Sequence, residues 1–262
     1  MKVRDLLAHI DTFAPFSLAE QWDNPGLMAG SYDAEVSCVG ICLDAVSEAV
    51  INAAENGCNV LLCHHPLIFR PIKRVDIDTE IGRTIYEALK RNVNILAAHT
   101  NWDKADEGVN ATLAELLKLS DVKALGEFGL IGELPEKFTL KNFAEHVKSS
   151  WKISRLDIYA DTKIERVIFH EEFRNISRVA LCGGSGAEFW RDAKNSGADI
   201  YLTADMKYHE LIDATKAGLI IGLMDHGEME RASLSKLAEK VSLCGVATKL
   251  IDITALPSPL RL

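Results

Sequence analysis

Residues 38–65 read CVGICLDAVSEAVINAAENGCNVLLCHH, and this stretch decides the fold class. Its apolar runs at 38–44 and 59–63 predict two buried strands, and the segment between them predicts a helix that ends at Gly57. The alternation continues with IGRTIYEALKRN (81–92, helix), NILAAH (94–99, strand) and VNATLAELLKL (109–119, helix). Strands joined by helical crossovers of this length favour an α/β fold with mostly parallel sheets.

A second stretch, residues 178–205, repeats the pattern of residues 38–65 at a constant offset of 140 residues without a gap. Six of the 28 aligned positions are identical, which indicates two related strand–helix–strand units. Any such unit also favours small residues in its helix and a glycine after it, and these shared requirements are the alternative explanation. Both readings predict two α/β lobes.

The order of segments places the second lobe inside the first. Residues 126–140, GEFGLIGELPEKFTL, are rich in Gly, Pro and charge and predict a boundary. We expect one lobe from residues 1–125 plus 226–262, with the C-terminal strand returning to it, and a second lobe from residues 126–225. In the second lobe Thr139 is a candidate helix N-cap, and RVIFHEE (166–172) predicts a strand.

The composition is that of a soluble globular protein, with 48% hydrophobic and 26% charged residues. No apolar run is long enough for a membrane span, and residues 1–13 lack a signal-peptide core, so we expect a cytoplasmic protein with no membrane partner. A net charge of −9 without a basic patch does not indicate nucleic-acid binding and does not exclude it. The six cysteines form no C-x-x-C pair and are expected to be buried apolar residues.

Histidine and carboxylate side chains follow three predicted strands at the points where the strands end. They are His64 and His65 after NVLLC, His99 and Asp103 after NILAA, and His226 and Glu230 after LIIGLM. Ligands of open α/β sheets bind beyond the carboxyl ends of strands, so we expect the three ends to converge in the lobe of residues 1–125 plus 226–262. Each segment alone is explained equally well by a turn or an exposed helix surface. Their coincidence indicates a metal site.

The same side chains fit a centre for two divalent transition-metal ions. Adjacent histidines in an extended segment point in opposite directions, so His64 and His65 would serve different metals, or one would be structural. His226 and Glu230 are four residues apart and share one face of a helix start. Two ions activate water for hydrolysis, and His99 is the candidate catalytic residue, as general acid or base.

Two further segments have less specific patterns. Gly183, Gly184, Ser185 and Gly186 follow a strand and precede a helix, and such a loop either binds an anion on its backbone N–H groups or makes a tight turn. It lacks the Lys-Ser/Thr of a P-loop and the full dinucleotide fingerprint. WDNPG (22–26) predicts a structural turn.

Six motifs span nearly the whole chain: WDNPGL (22–27), LLCHHPLIF (61–69), AAHTNWD (97–103), GGSG (183–186), ADIYLTADMKYHE (198–210) and DHGEMER (225–231). With them the chain resembles the NIF-three-like dinuclear metal proteins, which are also named GTP cyclohydrolase 1 type 2 homologs. The chain departs from the family pattern at Ala204 and Asp225, where glycine is common. Both departures affect loop geometry rather than ligands.

The resemblance implies a NIF-three-like fold of the short form and two divalent metal ions per subunit (Zn, Fe, Mn or Ni). The implied ligands are His64, His65, Asp103, His226 and Glu230, with Glu230 as the bridge. It also implies a ring-shaped homohexamer, with His99 near the metals. His209 would approach the same site and contact the substrate.

The family name implies a small-molecule substrate such as a nucleotide, with opening of the GTP ring and release of formate. Residues 183–186 would then receive phosphate. The alternative is a non-catalytic protein, a metal-binding hexameric scaffold or regulatory protein. The sequence leaves both open, together with the native metal.

Overall fold

Two compact units make up the described part of the chain. The computed structural model describes residues 1–161 and 175–253, so the strand predicted at 166–172 lies outside the described residues. The first unit comprises Met1–Gly108 and the C-terminal segment that begins at Leu234, and the second comprises Val109–Ser233. The second unit is therefore inserted into the first along the chain.

A five-stranded sheet forms the centre of the first unit. Its strands are β1 (Gly26–Ala29), β2 (Cys38–Asp44), β3 (Val60–His65), β4 (Asn94–Ala97) and β11 (Ala247–Leu250). Its helices are α1 (Val3–Phe13), α2 (Ser47–Glu55), α3 (Glu80–Arg91), α4 (Thr100–Asp103) and α10 (Leu234–Ser242). The strand order is β1-β4-β3-β2-β11, and all neighbours run parallel except β1, which is antiparallel to β4. The prediction of an α/β fold is confirmed.

The central strands of this sheet are continuous apolar runs because they are buried on both faces. Residues 38–43 of β2 and residues 60–64 of β3 are all buried. Parallel strands in α/β folds show such runs, whereas half-exposed strands alternate. The helix after them, α3, begins at the N-cap Thr79, whose side chain accepts the N–H of Gly82. The N-cap of α3 and the apolar runs of β2 and β3 therefore support the same assignment of helices and strands in this part of the chain.

Sheet register places two strand ends beside each other. Cys63 of β3 pairs with Ala97 of β4 in parallel register, so the residues that follow both strands start from the same edge. At the other side of the sheet, Ala247 of β11 pairs with Cys38 of β2. The strand β11 is therefore part of the sheet of the first unit.

The second unit contains a six-stranded sheet. Its strands are β5 (Ser120–Leu125), β6 (Gly129–Thr139), β7 (Asp157–Tyr159), β8 (Asn175–Ser185), β9 (Ile200–Ala204) and β10 (Ile220–Leu223). Its helices are α5 (Val109–Leu116), α6 (Leu140–Trp151), α7 (Trp190–Asn195), α8 (Tyr208–Lys216) and α9 (His226–Arg231). The order is β5-β6-β8-β9-β10-β7, in which β8, β9 and β10 are parallel and the outer strands pair antiparallel. α6 begins at the predicted N-cap Thr139, which accepts the N–H of Asn142.

The two segments that match in sequence also match in register. Val39 pairs with Val60 in the first unit, and Val179 pairs with Ile200 in the second. Each residue of the second pair lies 140 residues after its counterpart in the first pair, which is the offset of the sequence alignment. The units therefore share one strand–helix–strand arrangement, whether by duplication or by common packing requirements.

The expectation that residues 126–140 form a boundary between lobes is wrong in its local structure, since Gly129–Thr139 is the strand β6. Leu130 pairs with Leu181 in the middle of the sheet. The register of β6 against β8 shifts between Glu133 and Phe138, around Pro135. Proline lacks the N–H that a strand ladder needs, so it is found at irregularities of the ladder. The composition of residues 126–140, which resembles that of a linker, therefore marks the register shift within β6.

The division between the units lies after residues 108 and 233, whereas the sequence placed it after 125 and 225. α5 belongs to the second unit because Asn110 accepts the N–H of Gly183, and the indole N–H of Trp151 donates to the backbone of α5. α9 belongs there because it packs on β8 and β9. His226 and Glu230 are therefore residues of the second unit.

No helix within residues 1–161 and 175–253 has the length and apolar composition to cross a membrane. Five of the six cysteines are buried and Cys244 is partly exposed, as expected for apolar packing residues. In the described ranges, no group of three side chains suited to a metal ion contains a cysteine.

Candidate metal centre

The carboxyl ends of β3 and β4 bring three imidazoles together in the first unit. His64 and His65 are the last residues of β3, and His99 precedes α4 just after β4. The ring centroid of His64 lies 5.0 Å from that of His65 and 5.2 Å from that of His99, and the centroids of His65 and His99 are 5.7 Å apart. One ligand atom of each residue lies within 4.8 Å of the other two. The three side chains are close enough to share metal ligation.

The rings of His64 and His65 lie close together at the end of β3, with planes inclined by 44°. Side chains of adjacent residues alternate along a strand, so the assignment of these two histidines to different metals stays a prediction.

Asp103 adds a carboxylate to the same cluster. It lies in α4, and its backbone N–H donates to the carbonyl of His99 at 2.9 Å. Its Oδ1 lies 3.5 Å from Nε2 of His64, whose side chain is 1% exposed. A tetrahedral ion with bonds of about 2.1 Å separates its ligand atoms by about 3.4 Å. This nitrogen–oxygen distance therefore matches two ligands of one ion.

Each imidazole of the cluster donates its Nδ1–H to an acceptor of the same unit. His64 donates to the carbonyl of Ala98 at 3.0 Å, His65 to Oδ1 of Asp44 at 2.8 Å, and His99 to Oδ1 of Asp23 at 2.8 Å. A carbonyl or an ionised carboxylate only accepts, so Nδ1 carries the proton in all three rings. Nε2 is then the atom that each ring offers to a metal. Metal-bound histidines are oriented in this way.

Asp23 shows how firmly one of these acceptors is held. Its carboxylate also accepts the backbone N–H of Thr100 at 3.0 Å and the Thr100 hydroxyl at 2.5 Å. Burial alone would raise the pKa of Asp23, but the hydrogen bonds from His99 and Thr100 outweigh it and lower the pKa to about 2. The carboxylate is therefore ionised at neutral pH and fixes the orientation of His99.

A histidine and a glutamate form a second cluster at the start of α9, in the second unit. Nε2 of His226 lies 3.1 Å from Oε2 of Glu230, which is 4% exposed, and the four-residue spacing on a helix brings them together as predicted. Asp225 is the N-cap of this helix and accepts the N–H of Glu228. Nδ1 of His226 donates to Oδ2 of Asp205 at 2.6 Å. His226 thus repeats the arrangement of the first cluster.

The protonation of His226 reflects this surrounding of carboxylates. Burial lowers its pKa, but the hydrogen bonds and negative charges of Glu230 and Asp205 outweigh burial and raise the pKa to about 9. In the metal-free chain a proton therefore occupies Nε2. A divalent cation would compete with that proton for the same position.

Gly184 is required for the position of Glu230. A Cβ on this residue would lie 2.2 Å from Oε1 of Glu230 and 3.2 Å from Nε2 of His226, and the backbone φ of +65° also favours glycine. The glycine-rich segment therefore provides space for the carboxylate. This role differs from the predicted anion loop.

The predicted substrate residues have different surroundings. The N–H of Gly183 donates to Asn110 and the N–H of Gly186 donates to Thr203, so both donors are already engaged within the protein. His209 is exposed in the first turn of α8, and its ring contacts Tyr208 at 5.4 Å. Within the described residues, no group suited to a metal contains His209. Substrate binding by residues 183–186 and His209 stays a prediction.

Sequence reasoning missed the carboxylates that orient the imidazoles: Asp44, Asp23 and Asp205. Asp44 ends β2 and is the register partner of His65, so its place at a strand end was the signal available. Asp205 aligns with His65 at the offset of 140 residues and follows β9 in the same way. Asp23 lies in a turn that reads as structural and carries no such signal.

The donor set fits divalent transition metals. It consists of imidazole nitrogens and carboxylate oxygens, without thiolates, and borderline ions such as zinc, iron, manganese and nickel accept this combination. The Nδ1 acceptors fix the orientation of these rings, as acceptors do for metal-bound histidines. The residues present therefore fit a metal centre.

Known proteins with similar sequences cover nearly the same length. A GTP cyclohydrolase 1 type 2 homolog of Clostridium perfringens is 34% identical over 249 residues, which are 92% of this chain and 91% of that protein. A homolog of the same name from Clostridium acetobutylicum is 31% identical over 250 residues, covering 92% of this chain and 90% of that protein.

Solved structures and a family model agree with this similarity. A hypothetical protein of Staphylococcus aureus is 26% identical, with a TM-score of 0.88 and coverage of 100% of this chain and 99% of that one. A protein related to NIF3 from Bacillus cereus has the same fold at 24% identity, with a TM-score of 0.87 over 100% and 99% of the two chains. The model of the Duf34/NIF3 (NGG1p interacting factor 3) family matches residues 1–257. The chain belongs to the Duf34/NIF3 family.

Proposed function

We propose that His64, His65, Asp103, His226 and Glu230 bind two divalent transition-metal ions, and that the protein is a metal-dependent hydrolase. The observation that carries the proposal is the orientation of His64, His65, His99 and His226, each of which donates Nδ1–H to a carbonyl or carboxylate. A buried imidazole N–H needs an acceptor in any protein. When all four histidines use Nδ1 for that bond, Nε2 is their common ligand atom, as it is in metal-bound histidines.

Distances within each unit support two parts of the proposed assignment of ligands to ions. His64 and Asp103, 3.5 Å apart, would hold one ion. His65 and His226 would hold the other, with Glu230 as a ligand of both, and the 3.1 Å between His226 and Glu230 supports their sharing of an ion. Such a pair of ions would supply an activated water and stabilise negative charge on an oxygen of the substrate.

His99 is the candidate general acid or base of this proposal. Asp23 holds its Nδ1–H, so Nε2 is the atom that accepts or returns a proton beside the other two imidazoles. Because Asp23 stays ionised, it also stabilises the imidazolium that forms when Nε2 takes a proton.

The relatives are named GTP cyclohydrolase 1 type 2 homologs, and the specific reaction that we propose from this name is opening of the GTP ring with release of formate. In this reaction residues 183–186 and His209 would contact the substrate. A ring-shaped homohexamer and a cytoplasmic location complete the proposal and stay predictions.

Metal content tests the first half of the proposal. Mass-spectrometric metal analysis of the purified protein should give about two ions per chain, and His65→Ala should lose about one of them. His9→Ala is the matched control, because Nε2 of His9 bonds the carbonyl of Lys240 in the same unit. One ion or none in the wild type would overturn the dinuclear assignment.

Activity tests the second half. The metal-loaded protein is incubated with GTP, and formate is measured for the wild type and Glu230→Gln. Formate release that depends on Glu230 supports the cyclohydrolase reaction. Metal-dependent turnover of another ester or amide without formate would correct the substrate and keep the hydrolase class. Full metal loading with no turnover of any of these substrates supports the alternative, a non-catalytic metal-binding scaffold or regulatory protein.

A further inference from the structure

Two large aromatic side chains remain exposed beside the histidine cluster of the first unit. Trp22 is 57% exposed and Phe69 is 43% exposed, and their rings meet edge to face with centroids 5.6 Å apart. Each also contacts the His99 ring, at 6.3 Å from Trp22 and 6.1 Å from Phe69. The fold buries less than half of the Trp22 side chain, so its position is not explained by the core.

The backbone on both sides of this pair is nevertheless fixed. Asp23, next to Trp22, accepts hydrogen bonds from His99 and Thr100. The side chain of Asn24 donates to the carbonyl of Ile68, next to Phe69, at 2.6 Å. The bonds of Asp23 that orient His99 therefore fix the backbone next to Trp22, and the Asn24–Ile68 bond fixes the backbone next to Phe69.

The three rings form a corner. The planes of Trp22 and Phe69 are inclined by 64°, and they make angles of 72° and 82° with the plane of His99. A flat ring that stacks on one of the two exposed aromatic faces presents its edge to the other ring and to His99. Stacking on aromatic side chains tolerates different bases because every base has a π face.

We propose that Trp22 and Phe69 form a stacking site for a planar heteroaromatic ring, which they hold against the histidine cluster. The inference rests on the proposed function in one respect, since it assigns this ring to the substrate. It names a class of substrate, heteroaromatic compounds such as nucleobases, and two residues that determine specificity. The edge of the stacked ring, where its nitrogen and oxygen atoms lie, faces His99.

Binding measurements on the metal-loaded protein test the site. Isothermal titration with guanosine, adenosine and cytidine gives the affinity for flat rings, and ribose 5-phosphate serves as the probe without a base. Trp22→Ala should weaken nucleoside binding by about tenfold or more, and Trp22→Phe should restore most of it. Ribose 5-phosphate should not distinguish the variants. Tyr32→Ala removes another exposed ring, 53% exposed in the same unit, and should bind as the wild type does.

Fluorescence provides an independent reading. The chain has four tryptophans, and Trp102, Trp151 and Trp190 are 7% exposed or less. Quenching of wild-type emission by guanosine should therefore arise from Trp22 and disappear in Trp22→Phe. Metal content should be the same in all variants.

Unchanged nucleoside affinity in Trp22→Ala, or no binding of any nucleoside to the metal-loaded wild type, would overturn the stacking site and leave the metal centre in place. A change of oligomeric state in Trp22→Ala without a change in affinity would also overturn it, by showing a contact between copies. Binding that depends on Trp22 without turnover of GTP would keep the stacking site and remove the cyclohydrolase reaction. Failure of the two proposals is thus distinguishable.

Discussion

Replacement of Gly184 by alanine should damage the metal centre by displacing Glu230. The new Cβ would lie 2.2 Å from Oε1 of Glu230, more than 1 Å inside normal contact, and Glu230 is buried at 4% exposure. Alanine also has to adopt φ of +65°, which costs about 1–2 kcal/mol. Displacing a buried carboxylate from its partner His226 costs about 1–3 kcal/mol more.

A control separates these two effects. Gly197 has φ of +78° in the same unit, but a Cβ there meets no atom within 4 Å. Gly197→Ala should therefore lose about 1–2 kcal/mol of the free energy of unfolding through backbone strain alone. Gly184→Ala should lose about 2–5 kcal/mol in total. At about 2–4 °C per kcal/mol for a domain of this size, the two thermal midpoints should differ by several degrees.

The assay combines thermal unfolding of the chelator-treated variants, followed by circular dichroism, with metal analysis of the loaded proteins. Gly184→Ala should retain less than half of the wild-type metal, because ligand positions have to agree within about 0.2 Å. Gly197→Ala should retain all of it. The reasoning is refuted if Gly184→Ala binds metal normally and unfolds at the same temperature as Gly197→Ala.

Three other outcomes are expected. Asp44→Asn removes the charged acceptor of His65 and should weaken metal affinity about 10- to 100-fold, measured in competition with a chelator, with little change in the free energy of unfolding. Equal affinity in the variant and the wild type would show that the acceptor has no role. Burial and the neighbouring thiol raise the pKa of Cys58 to about 12, so at pH 8 only about one molecule in 10⁴ carries the Cys58 thiolate. Iodoacetamide should therefore label the partly exposed Cys244 before Cys58, and equal labelling rates in the folded protein would contradict this. Trp151→Ala should lower the free energy of unfolding of the second unit by about 3–5 kcal/mol, measured by urea denaturation, because the buried indole packs there and donates a hydrogen bond to α5. A loss below about 1 kcal/mol would show that other contacts hold α5 in place.

Most of the central strands were predictable because burial on both faces produces uninterrupted apolar runs. β2 and β3 coincide with such runs within two residues. β6 was not predicted, because a glycine-rich strand with Pro135 at a register shift has the composition of a linker. The unit boundaries were also missed, since the attachment of α5 depends on contacts such as Asn110 with Gly183, 73 residues apart.

For the candidate site, too, part of the arrangement was predictable from the sequence and part was not. Sequence by itself indicated the residues that offer metal ligands, because His64, His65 and Asp103 follow strand ends and His226 and Glu230 have helical spacing. Their close approach within each unit required the parallel register of β3 and β4 and the start of α9.

Only the tertiary structure decided what orients those ligands. Asp44 lies 21 residues from His65, and its place at a strand end does not identify His65 as its partner. Asp23 lies 76 residues from His99, and nothing local distinguishes it among 38 acidic residues. Sequence determines ligand chemistry because side-chain type and spacing are local properties. Orientation is decided by pairs of groups that strand register and a buried turn bring together, and the chain shows these only once it is folded.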